Sequence, residues 1–195
     1  MLNDIHGLPL SKASAQAAAD LSRTLRGYLM YRADTPEHLA RCIAADPEFA
    51  LAHCTKGYFV MLTYKQANVP VAAAAAQTAR LLAADATPRE RQHVAALEAW
   101  IAGDLERMLA LWEDILADHP TDVLAFRLAH FNNFWLGRPQ AMRSSVERVS
   151  ANWSPDLAGY GTLLACRAFA CEECGDYVTT KQARRASVNI DPTNL

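Results

Sequence analysis

The sequence lacks any strong excess of charge of one sign. Its 195 residues contain 19 Lys and Arg against 21 Asp and Glu, which gives a formal net charge of −2 at pH 7. No run of basic residues stands out, and this argues against an electrostatic surface for nucleic acid or for acidic membranes. We therefore expect neither nucleic acid nor a membrane among its partners.

Long apolar runs are also missing. No apolar stretch approaches the roughly 18 to 20 residues that a membrane-spanning helix requires. Near the amino terminus, Asp4 stands where a secretion signal would be basic, and no long apolar segment follows it. These absences lead us to expect a cytoplasmic protein.

Cysteines are few and odd in number: Cys42, Cys54, Cys166, Cys171 and Cys174. An odd count without a secretion signal favours reduced thiols over disulfides. Cys171 and Cys174 form a CxxC, but zinc prefers four ligands and no second pair exists. A redox CxxC gains its thiolate at a helix N-terminus, whereas this one precedes Gly175 at an expected helix C-terminus. We expect structural thiols, no metal and no cofactor.

Catalytic motifs are absent as well. The sequence contains no nucleophile elbow, phosphate-binding loop, dinucleotide fingerprint or helix-spaced pair of carboxylates. We therefore predict no catalytic residues and a chain that is not an enzyme.

Regularly spaced prolines and glycines are what the sequence does contain. Prolines recur every 32 to 41 residues, at Pro47, Pro88, Pro120, Pro155 and Pro192. Gly103, Gly137 and Gly175 each precede one of the last three prolines by 17 or 18 residues. A period in the mid-thirties with two such breaks is typical of a repeat of paired helices.

The residues between these breaks have helical periodicity. From Leu105 to Leu116, apolar residues recur at the spacing of one helix face. Thr87 and Glu90 have the spacing of a capping box at the start of the preceding helix. Thr35-Pro36 and Ser154-Pro155 follow the same pattern, and Thr121 or Asp122 can cap the helix after Pro120. The pattern thus predicts two helices per period.

The predicted fold class is all-α, with about ten helices in antiparallel pairs and no strands. A helix pair cannot bury its apolar face alone, but stacked pairs can, so we expect a single α-solenoid domain over residues 1–195. The expected units are 11–47, 48–87, 88–120, 121–154 and 155–192.

The last unit, "GDYVTTKQARRASVNIDPTN", resembles the tetratricopeptide repeat (TPR) pattern G-D-Y…A…A…D-P-x-N. More specifically, "RERQHVAALEAWIAGDLERMLALWEDILADHPTDVLAFRLAHFNNFWLG" and "AMRSSVERVSANWSPD" resemble the tetratricopeptide repeat protein 38 family. The resemblance implies a right-handed TPR-like superhelix whose family members are longer than this chain. We therefore expect a chain truncated at Thr193–Leu195, and a homodimer through an uncapped last repeat with Ala183, Ala186 and Ile190 exposed.

Three histidines, His53, His93 and His130, fall on the first helices of successive units. They could be buried and hydrogen-bonded within the stack. Alternatively, they could form a polar patch beside the concave surface that holds a ligand carboxylate or a metal. No Asp or Glu accompanies them at a recognisable metal-ligand spacing.

Polar residues on two predicted helices also admit two interpretations. Asn132 and Asn133 could hydrogen-bond an extended peptide in a concave groove, or they could be solvated or bonded within the stack. On the last helix, Lys181, Arg184 and Arg185 could form a solvated face or a clamp for a peptide carboxylate. The aromatic pair that follows the asparagines, Phe134-Trp135, is expected in the core.

Two functions follow from these patterns. The first is a scaffold that binds a protein or peptide on its concave surface, with His93, Asn132, Asn133, His130 and His53 as candidate groove residues. The second is a small-molecule- or metal-binding protein, or a metal-dependent enzyme, that uses the His53/His93/His130 patch.

Overall fold

The computed structural model describes residues 1–190, in which ten α-helices follow a short β-hairpin. The strands are β1 (Leu2–Asn3) and β2 (Pro9–Leu10). The helices are α1 (Ala15–Leu29), α2 (Thr35–Ala45), α3 (Ala50–Met61), α4 (Val69–Leu82), α5 (Pro88–Ile101), α6 (Leu105–Asp118), α7 (Val123–Trp135), α8 (Pro139–Ser150), α9 (Tyr160–Glu173) and α10 (Tyr177–Ile190). Short 3₁₀ turns cover Gln66–Asn68 and Ala83–Asp85.

The helices pack as five sequential pairs, α1/α2 through α9/α10. Neighbouring pairs contact one another through α3 and α5, α6 and α7, and α8 and α9. One hydrophobic cluster runs from α1 to α9, so each pair buries its apolar face against the next. The predicted all-α solenoid of helix pairs is confirmed, while the right-handed sense of the superhelix stays a prediction.

Several predicted helix boundaries are confirmed by their caps. Thr87 and Glu90 form a reciprocal capping box at the start of α5. Asp122 caps α7 by accepting a hydrogen bond from the backbone N–H of Ala125. Gly103 has a φ of +78°, and this left-handed conformation lets the chain turn from α5 to α6. Gly137 and Gly175 also have positive φ values, at the turns after α7 and α9.

Two predicted caps are wrong. Ser154-Pro155 does not open a helix: the chain turns there, and α9 begins only at Tyr160, after Gly159 in the left-handed conformation. Thr35 is the first residue of α2, not its cap, and its hydroxyl donates to the Arg32 carbonyl oxygen at 2.7 Å. In both places the preceding loop makes its own hydrogen bonds, and these fix the helix start.

The expectation of no strands is wrong at the amino terminus, where β1 pairs with β2 in an antiparallel hairpin. Asp4 Oδ1 accepts hydrogen bonds from the backbone N–H groups of His6 and Leu8, at 2.8 and 3.0 Å. Gly7 completes the turn with a φ of +77°, and Leu10 is buried. A short side-chain-stabilised turn of this kind has no hydrophobic periodicity that would reveal it in the sequence.

This hairpin makes hydrogen bonds to α5 and to the loop before α9. The Pro9 carbonyl accepts from Arg89 Nη2 at 3.1 Å, and the Ser11 N–H donates to the buried Glu90 carboxylate. His6 Nε2 lies 2.9 Å from the carbonyl oxygen of Ala158, in the loop before α9. The first dozen residues therefore connect the middle of the stack to its last pair.

Two predictions about exposure are also wrong. Trp135 is 65% exposed and packs against Tyr64 at the surface, because α7 ends there. Ala183 is buried, because it shares the α9-facing side of α10 with Thr180 and Ser187. The homodimer stays a prediction, and on α10 its surface would include the exposed Ile190.

The predicted start of a further repeat, Asp191 to Leu195, lies outside the described residues. Within residues 1–190, no helix combines the length and apolar character needed to cross a membrane.

Gly57 of α3 allows the closest approach between α3 and α5, because a Cβ added there would overlap the Leu97 side chain. We expect Gly57→Ala to lower the free energy of unfolding by about 1–3 kcal/mol through overpacking. In a Leu97→Ala background the same change should instead stabilise by about 1 kcal/mol, since alanine is the better helix former. Urea unfolding of the wild type, Gly57→Ala, Leu97→Ala and the double variant measures both changes in stability. If Gly57→Ala has the same effect with Leu97 and with Ala at position 97, the close approach of Gly57 to Leu97 is contradicted.

Candidate functional site

The three predicted histidines have different surroundings. His53 is half-buried, and its Nε2 lies 2.9 Å from the Pro47 carbonyl oxygen. His93 is fully buried beside Asp122, whereas His130 lines a cavity between α7, α9 and α10. Within residues 1–190, no group of three or more His, Cys, Asp or Glu side chains could hold a metal ion. The structure therefore offers no geometric support for the metal alternative in this part of the chain.

His93 belongs to a buried ion network centred on Asp122. The Asp122 Oδ2 atom accepts from Arg89 Nη1 at 2.7 Å and from His93 Nε2 at 3.0 Å, and its Oδ1 caps α7. All three side chains are almost fully buried. Burial alone would raise the pKa of Asp122, but the charges of His93 and Arg89 hold it well below its usual range.

Aromatic residues extend this network into α3 and α6. The Tyr58 hydroxyl donates to the His93 carbonyl oxygen at 2.6 Å and accepts from Trp112 Nε1 at 3.1 Å. Burial raises the pKa of Tyr58 well above its usual value, so the hydroxyl stays protonated. His93 thus connects four helices inside the core, which fits the interpretation of a histidine hydrogen-bonded within the stack.

The two asparagines also differ from each other. Asn132 is buried, and its Nδ2 donates to the Leu128 carbonyl oxygen of the same helix at 2.9 Å. Asn133 is buried at the wall of a shallow cleft between α6 and α8, with Arg138 and Arg148 on the opposite helix. The structure does not bring the two amides to one surface, and their role in a groove stays a prediction.

A cavity of about 480 Å³ lies between α7, α9 and α10 and is closed on one side by the end of α1. We call it the Arg127 cavity. Its lining includes Tyr31, Arg127, His130, Phe131, Cys166 and Arg184. Of the predicted site residues, only His130 lies in it, and of the predicted cationic cluster on α10 only Arg184 does.

Arg127 is the buried charge of this cavity. Its Nη1 donates to Cys166 Sγ at 2.8 Å, its Nη2 donates to the Tyr31 hydroxyl at 2.7 Å, and the guanidinium stacks 4.5 Å from the centre of the Phe131 ring. The Nε atom is buried and has no hydrogen-bond partner. The ion pairs formed within residues 1–190 include no carboxylate bound to Arg127.

His130 lies next to Arg127 in the same cavity. Its ring is 4% exposed and sits between Phe126 and Phe169, with ring centres 5.9 and 6.1 Å away. Its Nδ1 atom is buried without a hydrogen-bond partner. Two unpaired buried nitrogen atoms therefore belong to side chains that line one cavity.

Cys166 lines the cavity beside Arg127. Burial would raise the pKa of its thiol, but the Arg127 guanidinium and the His130 ring lower that pKa to about 6. The CxxC differs: Cys171 is buried with a raised pKa, and Cys174 is the half-buried C-cap of α9, so the predicted position at a helix end is confirmed.

Neither Arg127 nor Cys166 was among the predicted site residues. One signal was available: Arg127 is the only charged residue in the α7 sequence "VLAFRLAHFNNFW". Long charged side chains are almost never fully buried unless they have a partner. An arginine in an otherwise uncharged, largely apolar helix therefore indicates a buried charge that something must neutralise.

We expect Asp122→Asn to lower the free energy of unfolding by about 3–5 kcal/mol at pH 7, because it leaves the buried Arg89 charge without its partner. Asp104→Asn is the matched control: Asp104 caps α6 in the same way but is exposed. Asparagine caps as well as aspartate, so this control should change stability by less than about 0.5 kcal/mol. Urea unfolding measures both variants.

The stability that the Asp122–Arg89 ion pair contributes depends on pH. Asp122 has a depressed pKa in the folded state, so its contribution is complete above the unfolded-state pKa of about 3.9 and is lost as the pH falls below it. The stability difference between the wild type and Asp122→Asn should therefore narrow from pH 4 to pH 2. A difference that stays constant over this range would show that folding does not lower the pKa of Asp122.

No protein-family model matches the chain, and no solved structure matches it. The resemblance to the tetratricopeptide repeat protein 38 family therefore stays a prediction, and the geometry of the Arg127 cavity is the basis for a functional proposal.

Proposed function

We propose that this chain is a binding module that holds a ligand carboxylate in the Arg127 cavity. The observation that carries the proposal is the buried Arg127 guanidinium, which has no carboxylate partner among residues 1–190. The anionic group beside Arg127 among these residues is the Cys166 thiolate; when that thiol is neutral, below about pH 6, a bound carboxylate would supply the opposite charge that a buried guanidinium requires. Arg89, the buried arginine of α5, differs because it forms an ion pair with the Asp122 carboxylate.

The donors of the cavity fit a carboxylate. The side chains of Arg127 and His130 both line the cavity, and a guanidinium presents donors in the fixed geometry that a carboxylate matches. At the rim, Arg184 adds a second positive charge, which it shares with Glu172 of α9. Below about pH 6, where the Cys166 thiol is neutral, the Arg127 guanidinium is the unbalanced charge of the cavity.

The size and the remaining walls fit a small ligand or the end of a larger one. A volume of about 480 Å³ lies within the usual range of small-molecule sites, about 300–1,000 Å³. Leu29, Ala165 and Phe169 provide apolar walls beside the charged groups. A peptide C-terminus would fit the scaffold hypothesis, and a small organic acid would fit the small-molecule alternative; both present the same carboxylate.

The first experiment compares three probes by isothermal titration calorimetry: a hexapeptide library with free carboxyl termini, the same library amidated, and a panel of small carboxylic acids. We expect binding by free-carboxyl probes and at least about tenfold weaker binding by amides, since removing one partner of a buried charge pair typically costs 2–5 kcal/mol. Preference for peptides or for small acids then identifies the source of the carboxylate.

Variants locate the site. Arg127→Met should weaken the binding of the best probe by at least about tenfold. Arg148→Met on α8 is the matched control, because this exposed arginine pairs with Glu113 outside the cavity and should leave affinity unchanged. Circular dichroism checks that both variants remain helical. Equal affinity of Arg127→Met and the wild type would remove the cavity as the binding site.

Binding should also depend on pH. Above about pH 6 the Cys166 thiolate competes with a ligand carboxylate for Arg127, and below it the thiol is neutral. Affinity should therefore increase as the pH falls from 7.5 to 5.5, and Cys166→Ser should reduce this increase. An increase that Cys166→Ser leaves unchanged would assign the pH dependence to another group.

A further inference from the structure

We propose that Cys166 is a nucleophilic thiol that forms a covalent sulfur–carbon bond with an electrophilic ligand in the Arg127 cavity, with His130 accepting the thiol proton. The choice of ligand class rests on the proposed function: small carboxylates with an electrophilic carbon next to the carboxyl group, such as 2-oxo acids. The nucleophilicity of Cys166 does not depend on that choice.

The geometry places the reacting groups together. Cys166 lines the cavity, and its Sγ lies 2.8 Å from Arg127 Nη1, so a carboxylate bound to the same guanidinium has its neighbouring carbon close to the sulfur. His130 lines the same cavity, and its ring is 96% buried with Nδ1 unpaired. A proton acceptor, a cationic anchor and a thiol therefore line one cavity.

The charges around Cys166 distinguish it from structural thiols of the same chain. Cys42 is also buried, but burial and nearby carboxylates raise its pKa to about 12. Burial likewise raises the pKa of Cys54 and Cys171. Only the thiolate is a nucleophile, so a thiol beside Arg127 and His130 is reactive at neutral pH where these three are not.

The reaction with a 2-oxo acid is balanced without a further reactant. The thiol proton passes to His130, and the Sγ electron pair forms a bond to the carbonyl carbon. The carbon–oxygen π bond breaks, its electrons move to the oxygen, and that oxygen takes the proton from His130. The product is a hemithioketal, or a hemithioacetal with an aldehyde, and the reverse steps release the ligand. No oxidation or reduction occurs.

Two alkylating reagents test the proposal on the intact chain. Iodoacetate carries its electrophilic carbon next to a carboxylate, and iodoacetamide is its neutral analogue. With either reagent the sulfur–carbon bond forms, the carbon–iodine bond breaks and iodide leaves. Intact mass and peptide mapping give the rate at each cysteine, and Cys174, the half-buried thiol at the end of α9, is the internal reference.

We expect iodoacetate to label Cys166 at pH 7 at least about tenfold faster than Cys174, since one unit of thiol pKa changes the thiolate fraction about tenfold. The Cys166 rate should rise through pH 6 and level off above pH 7, whereas an ordinary thiol becomes faster up to about pH 8.5. Pyruvate should slow the labelling of Cys166 but not that of Cys174.

Variants assign the roles. Cys166→Ser should remove the fast label, and His130→Gln should move the midpoint of the pH profile upward. Because a change at Arg127 could alter folding, Arg184→Gln at the exposed rim is the second test of the cationic site. It should slow iodoacetate more than iodoacetamide and leave the pH midpoint near 6.

The outcomes separate this inference from the proposed function. Labelling of Cys166 no faster than Cys174 with both reagents, or only after unfolding in urea, would overturn the inference even if carboxylate binding were observed. Fast labelling at equal rates by both reagents, without protection by pyruvate, would support the nucleophilic thiol and refute the carboxylate site.

Discussion

The stack depends on the buried carboxylate of Asp122. It accepts hydrogen bonds from Arg89 and His93 of α5 and from the first turn of α7, so one side chain fixes the positions of two successive units. Its negative charge permits an arginine in the core, and that arginine in turn holds the N-terminal hairpin through the Pro9 carbonyl. A neutral residue could cap the helix, but it could not neutralise Arg89.

The same physical requirement, an opposite charge for a buried arginine, applies to the Arg127 cavity. Arg89 and Arg127 are both buried on first helices of neighbouring pairs. Arg89 has an aspartate, whereas Arg127 has a thiol, a phenol and an aromatic face. The Nε atoms of both arginines are buried without a hydrogen-bond partner, so the difference between them is the carboxylate, which the described residues provide for Arg89 and not for Arg127. Functional sites are where such local costs are expected.

The helix pairs could be predicted from the sequence because their signals are local. These signals are the apolar periodicity, the glycine at turns such as Gly103, and the Thr87–Glu90 capping box. The site could not, because its members come from three helices and their effect depends on packing. His130 was predicted from its type, but its neighbours Cys166 and Arg127 are 36 and 3 residues away in sequence and no motif joins them. The prediction that Trp135 lies in the core was wrong because an aromatic residue at a helix end can face either the core or the solvent.

The amino-terminal hairpin has a consequence for how the array folds. An open solenoid has only nearest-neighbour contacts, and its ends can melt separately from its centre. Here His6 reaches Ala158, a partner 152 positions away in sequence. Such a closure couples the last pair to the first residues and makes unfolding more all-or-none. It also adds contacts of high sequence separation, which slow folding, because the helix pairs must form before His6 can contact Ala158.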